Sequence, residues 1–407
     1  MADFPDGFLW GSSTAAHQVE GGNFNNDWWA WEHSPNTTGT EPSGDGIDHY
    51  HRYAEDFELL ASLGQNAHRL SLEWSRIEPA PGEWSRAALD HYRRVLESLA
   101  EVGLTGFVTL YHFTVPRWFA ERGGWSAADA VERFERYCER VASALGDLIP
   151  FACTVNEPQI VSLFGYLQGY HPPGLANAVL WRRVTRTLIE AHAAAVRALA
   201  AGAGSPRAGI CLQLPALEPA RPGDEACLAL YDELREEMIE VYLDGPPGDF
   251  VGVQYYTRMR VDPAHPGLFA RAPAGSPVTQ MGWELHPDGL RQALHTAARA
   301  GLPLYLTENG IATAEDEQRV DYLESHLGAL AEALAEGVDV RGYLYWSSFD
   351  NFEWAEGYRP RFGLVGIDRE DGLRRVVRPS AEAFGRVART GELSGLRGTG
   401  VDDTRAL

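Results

Sequence analysis

Two glutamates are set apart by what precedes them. In Leu304-Tyr305-Leu306-Thr307-Glu308-Asn309-Gly310, four apolar or β-branched residues lead straight into an acid, an amide and a glycine. That is the pattern of a buried strand ending at a working surface, where the chain must turn at once. In Phe151-Ala152-Cys153-Thr154-Val155-Asn156-Glu157-Pro158 a second buried strand delivers a carboxylate in the same way. Pro158, with no N–H to give to a sheet, stops it. One acid at a strand end is more often a helix N-cap or a solvated loop residue. Two acids presented alike suit chemistry divided between a carboxylate that reacts and a partner that carries its proton.

To face each other, the two acids need a frame that brings strand ends together. Strand-like segments recur near Phe8–Ser13, Ala67–Leu72, Thr105–Leu110, Phe151–Val155, Ala208–Leu212, Phe250–Gln254, Pro303–Thr307 and Gly342–Trp346, with helical segments between them. Ala87–Val102 carries Leu89, Val95, Leu96 and Leu99 at helical spacing, and the alanine-rich Leu188–Ala201 is a second helix. About eight such units predict an α/β fold, a single (β/α)8 TIM barrel over residues 1–390, with reactive residues at the carboxyl ends of its strands. The polar, glycine-rich stretch from Gly391 to Leu407 reads as a disordered tail.

Within that frame the two stretches resemble the paired carboxylate motifs of glycoside hydrolase family 1, the β-glucosidase family. The likeness runs from Phe8 to about Ala388, with the motifs in order. It implies a retaining β-glycosidase acting on unphosphorylated β-D-glucosides, and possible β-galactosides and β-fucosides as well, by double displacement. Glu308 is then the nucleophile that forms a glycosyl-enzyme and Glu157 the acid and base, a division that requires the carboxyls about 5–5.5 Å apart. A transglycosylase that passes the sugar to an alcohol, and a non-catalytic carbohydrate-binding barrel, are the alternatives; keeping both acids argues against the second. This chemistry needs no metal and no cofactor. The partner implied is a small-molecule glycoside or an oligosaccharide, and the sequence leaves the oligomeric state open.

The same resemblance assigns the supporting residues. Gln18 in His17-Gln18-Val19-Glu20-Gly21 grips the cleaved sugar, since an amide both donates and accepts. Arg69 contacts the nucleophile; a buried arginine at a barrel mouth needs a counter-charge in any case, and the pairing keeps Glu308 ionised. His112 bonds the sugar, Asn156 its 2-hydroxyl, and Tyr256 the nucleophile. Gln254 stands where the family has asparagine, which puts the fine orientation of the acids in question. Trp346 floors the sugar ring, Glu353 accepts from its far hydroxyls beside Trp354, and Trp283 is a wall for the leaving group. Relatives that cut 6-phosphorylated sugars replace the acid at the Glu353 position and use a lysine, and this chain makes neither change. Trp28, Trp29 and Trp31 fit either core or a stacking wall.

Composition removes rivals. The 407 residues include 57 Asp plus Glu against 35 Lys plus Arg, a net charge of −22 that repels phosphate backbones and anionic membranes. All 35 cations are arginine; with no lysine, Schiff-base chemistry and a P-loop are excluded. His49 and His51 form a His-x-His, but at the start of an amphipathic helix they point apart rather than toward one metal. Cys138, Cys153, Cys211 and Cys227 form no CxxC pair and read as buried thiols. With no basic-then-apolar leader and no long apolar run, the chain is expected to be soluble and cytoplasmic.

Overall fold

The computed structural model describes residues 3–397, apart from Asn36 and Pro247. Eight parallel strands close into a barrel: β1 (Leu9–Ser13), β2 (Ala67–Ser71), β3 (Thr105–Tyr111), β4 (Phe151–Asn156), β5 (Arg207–Gln213), β6 (Phe250–Gln254), β7 (Leu304–Asn309) and β8 (Val340–Trp346). Each pairs with its neighbours in sequence, and β8 closes on β1 with Leu9 opposite Gly342 and Ser13 opposite Trp346. The sequence reading placed all eight, within three residues at every end.

Helices wrap the barrel because their apolar residues recur at helical spacing. Arg86–Glu101 buries Leu89, Tyr92, Val95, Leu96 and Leu99, and begins at Ser85, whose side chain accepts from the Ala88 N–H at 3.2 Å. The alanine-rich helix starts ten residues earlier than expected, at Ala178, where Asn177 caps the N–H groups of Val179 and Leu180. Helix His49–Ser62 turns its two histidines apart: His49 is buried against Asp56 at 2.8 Å, while His51 is exposed and meets Asp48. The tail expected to be disordered from Gly391 is folded as far as Arg397. Leu393–Gly395 form a short turn, Leu396 is buried, and Arg397 bonds Asp321 and Glu324. Residues 398–407 lie outside the described residues.

Inside the barrel, alternate residues of each strand point to the axis. At the amino ends they are apolar: Phe107, Phe250, Tyr305 and Leu344, with Ala67, Cys153 and Cys211, form one cluster. The Phe107 ring stacks on Phe151 at 4.4 Å and meets Tyr305 edge-on at 5.2 Å. Strict alternation would then turn the residues three positions after Tyr305 and Cys153 outward. Both strands break register first, β7 between Leu306 and Glu308 against β6, and β4 between Cys153 and Asn156 against β5. Each irregularity inserts a residue and returns the next side chain, Glu308 or Asn156, to the interior.

Candidate active site

Glu308 emerges from the β7 irregularity nearly enclosed, 4% exposed. Three groups donate to it: Arg69 from β2 and Gln254 from β6, the latter at 2.8 Å, both reach Oε1, and the Tyr256 hydroxyl reaches Oε2 at 2.6 Å. The next residue, Asn309, anchors the strand end by donating to the Tyr255 carbonyl at 2.7 Å and to the Tyr322 hydroxyl at 2.8 Å. Gly310 follows because a Cβ there would overlap the Trp346 carbonyl.

Glu157 follows Asn156 at the end of β4 in the left-handed region, with φ 44°. Its N–H donates to the Cys211 carbonyl at 2.8 Å, and Pro158 opens the short helix Pro158–Ser162. A non-glycine residue held there is costly and signals that its side chain is aimed. Glu157 occupies the cap position of that helix, yet its side chain caps nothing. Its carboxyl lines the same cavity, of about 390 Å³, as that of Glu308.

Electrostatics divide the two acids. Burial pushes the Glu157 carboxyl well above the ordinary range; Glu308 and Glu353 push it further, against the pull of Arg69. Burial also raises Glu308, but Arg69 and the Tyr256 hydrogen bond oppose it and the displacement is smaller. The sequence predicts that Arg69 holds Glu308 ionised; the contact is present, and desolvation by burial outweighs it. The last proton therefore belongs on Glu157.

The remaining residues assemble around the cavity. His112, Asn156, Tyr256, Trp283, Trp346, Glu353 and Trp354 all line it. Gln18 is fully buried and donates to the Phe352 carbonyl at 2.8 Å and to Asn351 at 3.1 Å, while its Oε1 has no partner among the described residues. Burial and the Glu308 charge raise Glu353 to about 8. His112 lies nearly parallel to Trp346, ring centres 6.0 Å apart, and is held neutral by burial and by Arg69. Trp283 packs on Tyr256, ring centres 5.3 Å apart. Of the tryptophan cluster, none lines the cavity; Trp28 is buried behind Trp354, 4.6 Å between ring centres.

Comparison with known proteins bears on what such a cavity does. The family model described as Glycosyl hydrolase family 1 matches residues 1–260 and 246–393. The chain belongs to glycosyl hydrolase family 1. It is 34% identical to Beta-glucosidase A of Thermotoga maritima over 96% of this chain and 98% of that protein. It is 32% identical to a bifunctional beta-D-glucosidase/beta-D-fucosidase of Bifidobacterium breve, over 94% and 97%. A beta-glycosidase from Pyrococcus horikoshii superposes with a TM-score of 0.90 at 36% identity, covering 99% of both chains. The Thermotoga maritima beta-glucosidase in complex with glucoimidazole gives 0.88 at 31% identity, over 96% and 100%. The protein is a glycoside hydrolase of the β-glucosidase type.

Around this family 1 cavity stand further residues that the sequence alone did not single out. Asn351 lies behind the cavity wall and braces Gln18, accepting from its amide at 3.1 Å. On the Trp283 side, Arg258 and Arg260 both clasp Glu284, at 2.8 and 2.7 Å, and the two arginines hold that carboxyl down to about 2. They come from the short strand Arg258–Val261, which pairs with Ala216–Pro219 and Phe269–Ala270 in a three-stranded sheet beside the barrel. The alternation of arginines in Arg258-Met259-Arg260 was the available signal. Among the described residues, no helix is long and apolar enough to cross a membrane.

Proposed function

We propose that this chain is a retaining β-glycosidase for unphosphorylated β-D-glucosides, with Glu308 as nucleophile and Glu157 as acid and base. What carries the reading is the unequal treatment of two carboxyls in one cavity. Glu308 faces Arg69, Gln254 and Tyr256, all donors, which favours the carboxylate. Glu157 is buried beside like charges, which favours the acid. The ionised Glu308 attacks the anomeric carbon as Glu157 hands its proton to the departing oxygen. Glu157, now a carboxylate, then takes a proton from water as that water attacks the glycosyl-enzyme.

At the sugar end, Gln18 and Glu353 offer an amide and a carboxyl to hydroxyls, and the chain has no lysine for a phosphate. Asn156 meets the 2-hydroxyl and Trp346 the ring face, while Trp283 stands toward the leaving group. The fucosidase named for the Bifidobacterium breve relative makes β-fucosides reasonable further substrates. A cytoplasmic location belongs to the same proposal, supported by four cysteines that are buried and free. Proton NMR of 4-nitrophenyl β-glucoside hydrolysis tests the mechanism: the β-anomer of glucose should appear first, and first release of the α-anomer would rule out double displacement. Activity should fall in acid as Glu308 takes a proton and in alkali as Glu157 loses one, so the pH profile is a bell.

A further inference from the structure

The carboxyl end of β6 carries an amide that the two-acid chemistry does not by itself call for. Gln254 is fully buried and level with Glu308 in the β6–β7 register. Its Nε2 donates both to Asn156 Oδ1 and to Glu308 Oε1, at 2.8 Å each. Arg69 reaches the same two oxygens, with Nη1 on Glu308 and Nη2 on Asn156. Two donor groups and two acceptor oxygens thus close a ring behind the cavity wall.

The ring fixes orientation as well as position. Turning the Asn156 amide would set its N–H groups against those of Arg69 and Gln254, so Oδ1 stays in the ring. Nδ2 is left beside His112 Nε2, 3.3 Å away, and both residues line the cavity. Turning the Gln254 amide would bring three acceptor oxygens together, so that orientation is fixed as well. Its own Oε1 is buried and has no partner among the described residues. A buried acceptor without a donor destabilises a fold, and an apolar side chain of equal length would avoid the cost. The amide therefore answers to the cavity rather than to the barrel.

We infer that Gln254 is a positioning residue that couples Asn156 to Glu308, so that a hydrogen bond made by the sugar's 2-hydroxyl at Asn156 also tightens the aim of the nucleophile. The inference rests on the proposed roles of those two residues. Gln254→Met tests it, because the variant keeps the length, removes both polar atoms and leaves Arg69 on both oxygens. The measurement is kcat/KM for 4-nitrophenyl β-glucoside and for its 2-deoxy analogue, whose ratio states what the hydroxyl contributes.

The variant should lose about tenfold or more on the glucoside, chiefly in kcat, the scale of one hydrogen bond to a charged group. It should lose much less on the 2-deoxy compound, so that the ratio shrinks by about fivefold or more, the sign of coupled groups. Its acidic limb should move to higher pH, since Glu308 gives up one donor. It keeps Arg69 and Tyr256, with neutral His112 nearby, and still faces Glu157 and Glu353. Gln254→Glu, which sets a carboxyl against two acceptors, should move that limb further. The thermal midpoint of Gln254→Met should not fall. An unchanged ratio, or a midpoint that falls in step with activity, would overturn the inference. A wild-type enzyme inert on the glucoside would instead overturn the glycosidase reading beneath it.

Discussion

The two ends of the barrel interior are built from the same eight strands and behave as opposites. At the amino end, Phe107, Phe250, Tyr305 and Leu344 fill the axis with rings and methyl groups that need no partners. At the carboxyl end, two residues further along β2 and three along β4 and β7, Arg69, Asn156 and Glu308 are buried just as deeply and depend on hydrogen bonds to one another, to Gln254 and to Tyr256. Apolar burial stabilises in proportion to area, whereas a buried charge returns its desolvation cost only with good geometry. One end of the axis holds the barrel closed, and the other holds charges in a geometry that folding alone would not favour.

Removing the acids should produce the largest change. Glu308→Ala should lower kcat by a factor on the order of 10⁴–10⁶. It leaves Arg69 without its carboxylate, a vacancy that azide can fill as anion and nucleophile. Rescue should yield the α-glycosyl azide in one inversion. Glu157→Ala should lose about 10²–10⁴-fold on substrates with poor leaving groups. A nitrophenolate should still depart from it, and added azide should give the β-glycosyl azide after two inversions. Proton NMR of the azides decides between the roles: the opposite pairing of anomers would exchange them, and two active variants would end the assignment.

The amino-end layer should respond in stability instead. Phe107→Ala opens a cavity among Phe151, Phe250 and Tyr305, at a cost of about 3–5 kcal/mol in denaturant unfolding. Below its melting point the variant should keep kcat/KM within about twofold, as distant sites add independently. A tenfold loss in the folded variant would show that the two ends are not separable. The smallest effect should come from the sugar end. Glu353→Ser removes hydrogen bonds between the sugar and a carboxyl that burial and Glu308 keep protonated, about 0.5–1.5 kcal/mol each, read as a fall in kcat/KM on plain glucosides. With no lysine in the chain it should gain nothing on 6-phosphoglucosides, and an unchanged kcat/KM on plain glucosides would place Glu353 outside the site.

The divergence of His49 and His51 followed from helical spacing alone, as did the core face of Arg86–Glu101. Other features needed partners distant in sequence. The start of the long helix at Asn177 was missed because three arginines in its first turns hide the apolar stripe. The folded stretch from Gly391 to Arg397 was missed because its anchors, Asp321 and Glu324, lie some seventy residues upstream. Asn351 gave no signal, since bracing a side chain more than three hundred residues away leaves no local pattern.

What the sequence determined by itself was the set of strands, their order, and the two acids at strand ends, because hydrophobic period and chain-breaking residues act over a few positions. The tertiary structure alone decided which way those acids face and how they share a proton. Alternation along β4 and β7 turns Asn156 and Glu308 away from the axis, and only the slip in register against β5 and β6 brings them back. With Glu157 following Asn156 in a left-handed turn, burial raises both carboxyls, and Arg69 and Tyr256 beside Glu308 keep its rise the smaller. Desolvation and through-space charge depend on atoms brought together by folding, and no local stretch of sequence contains them.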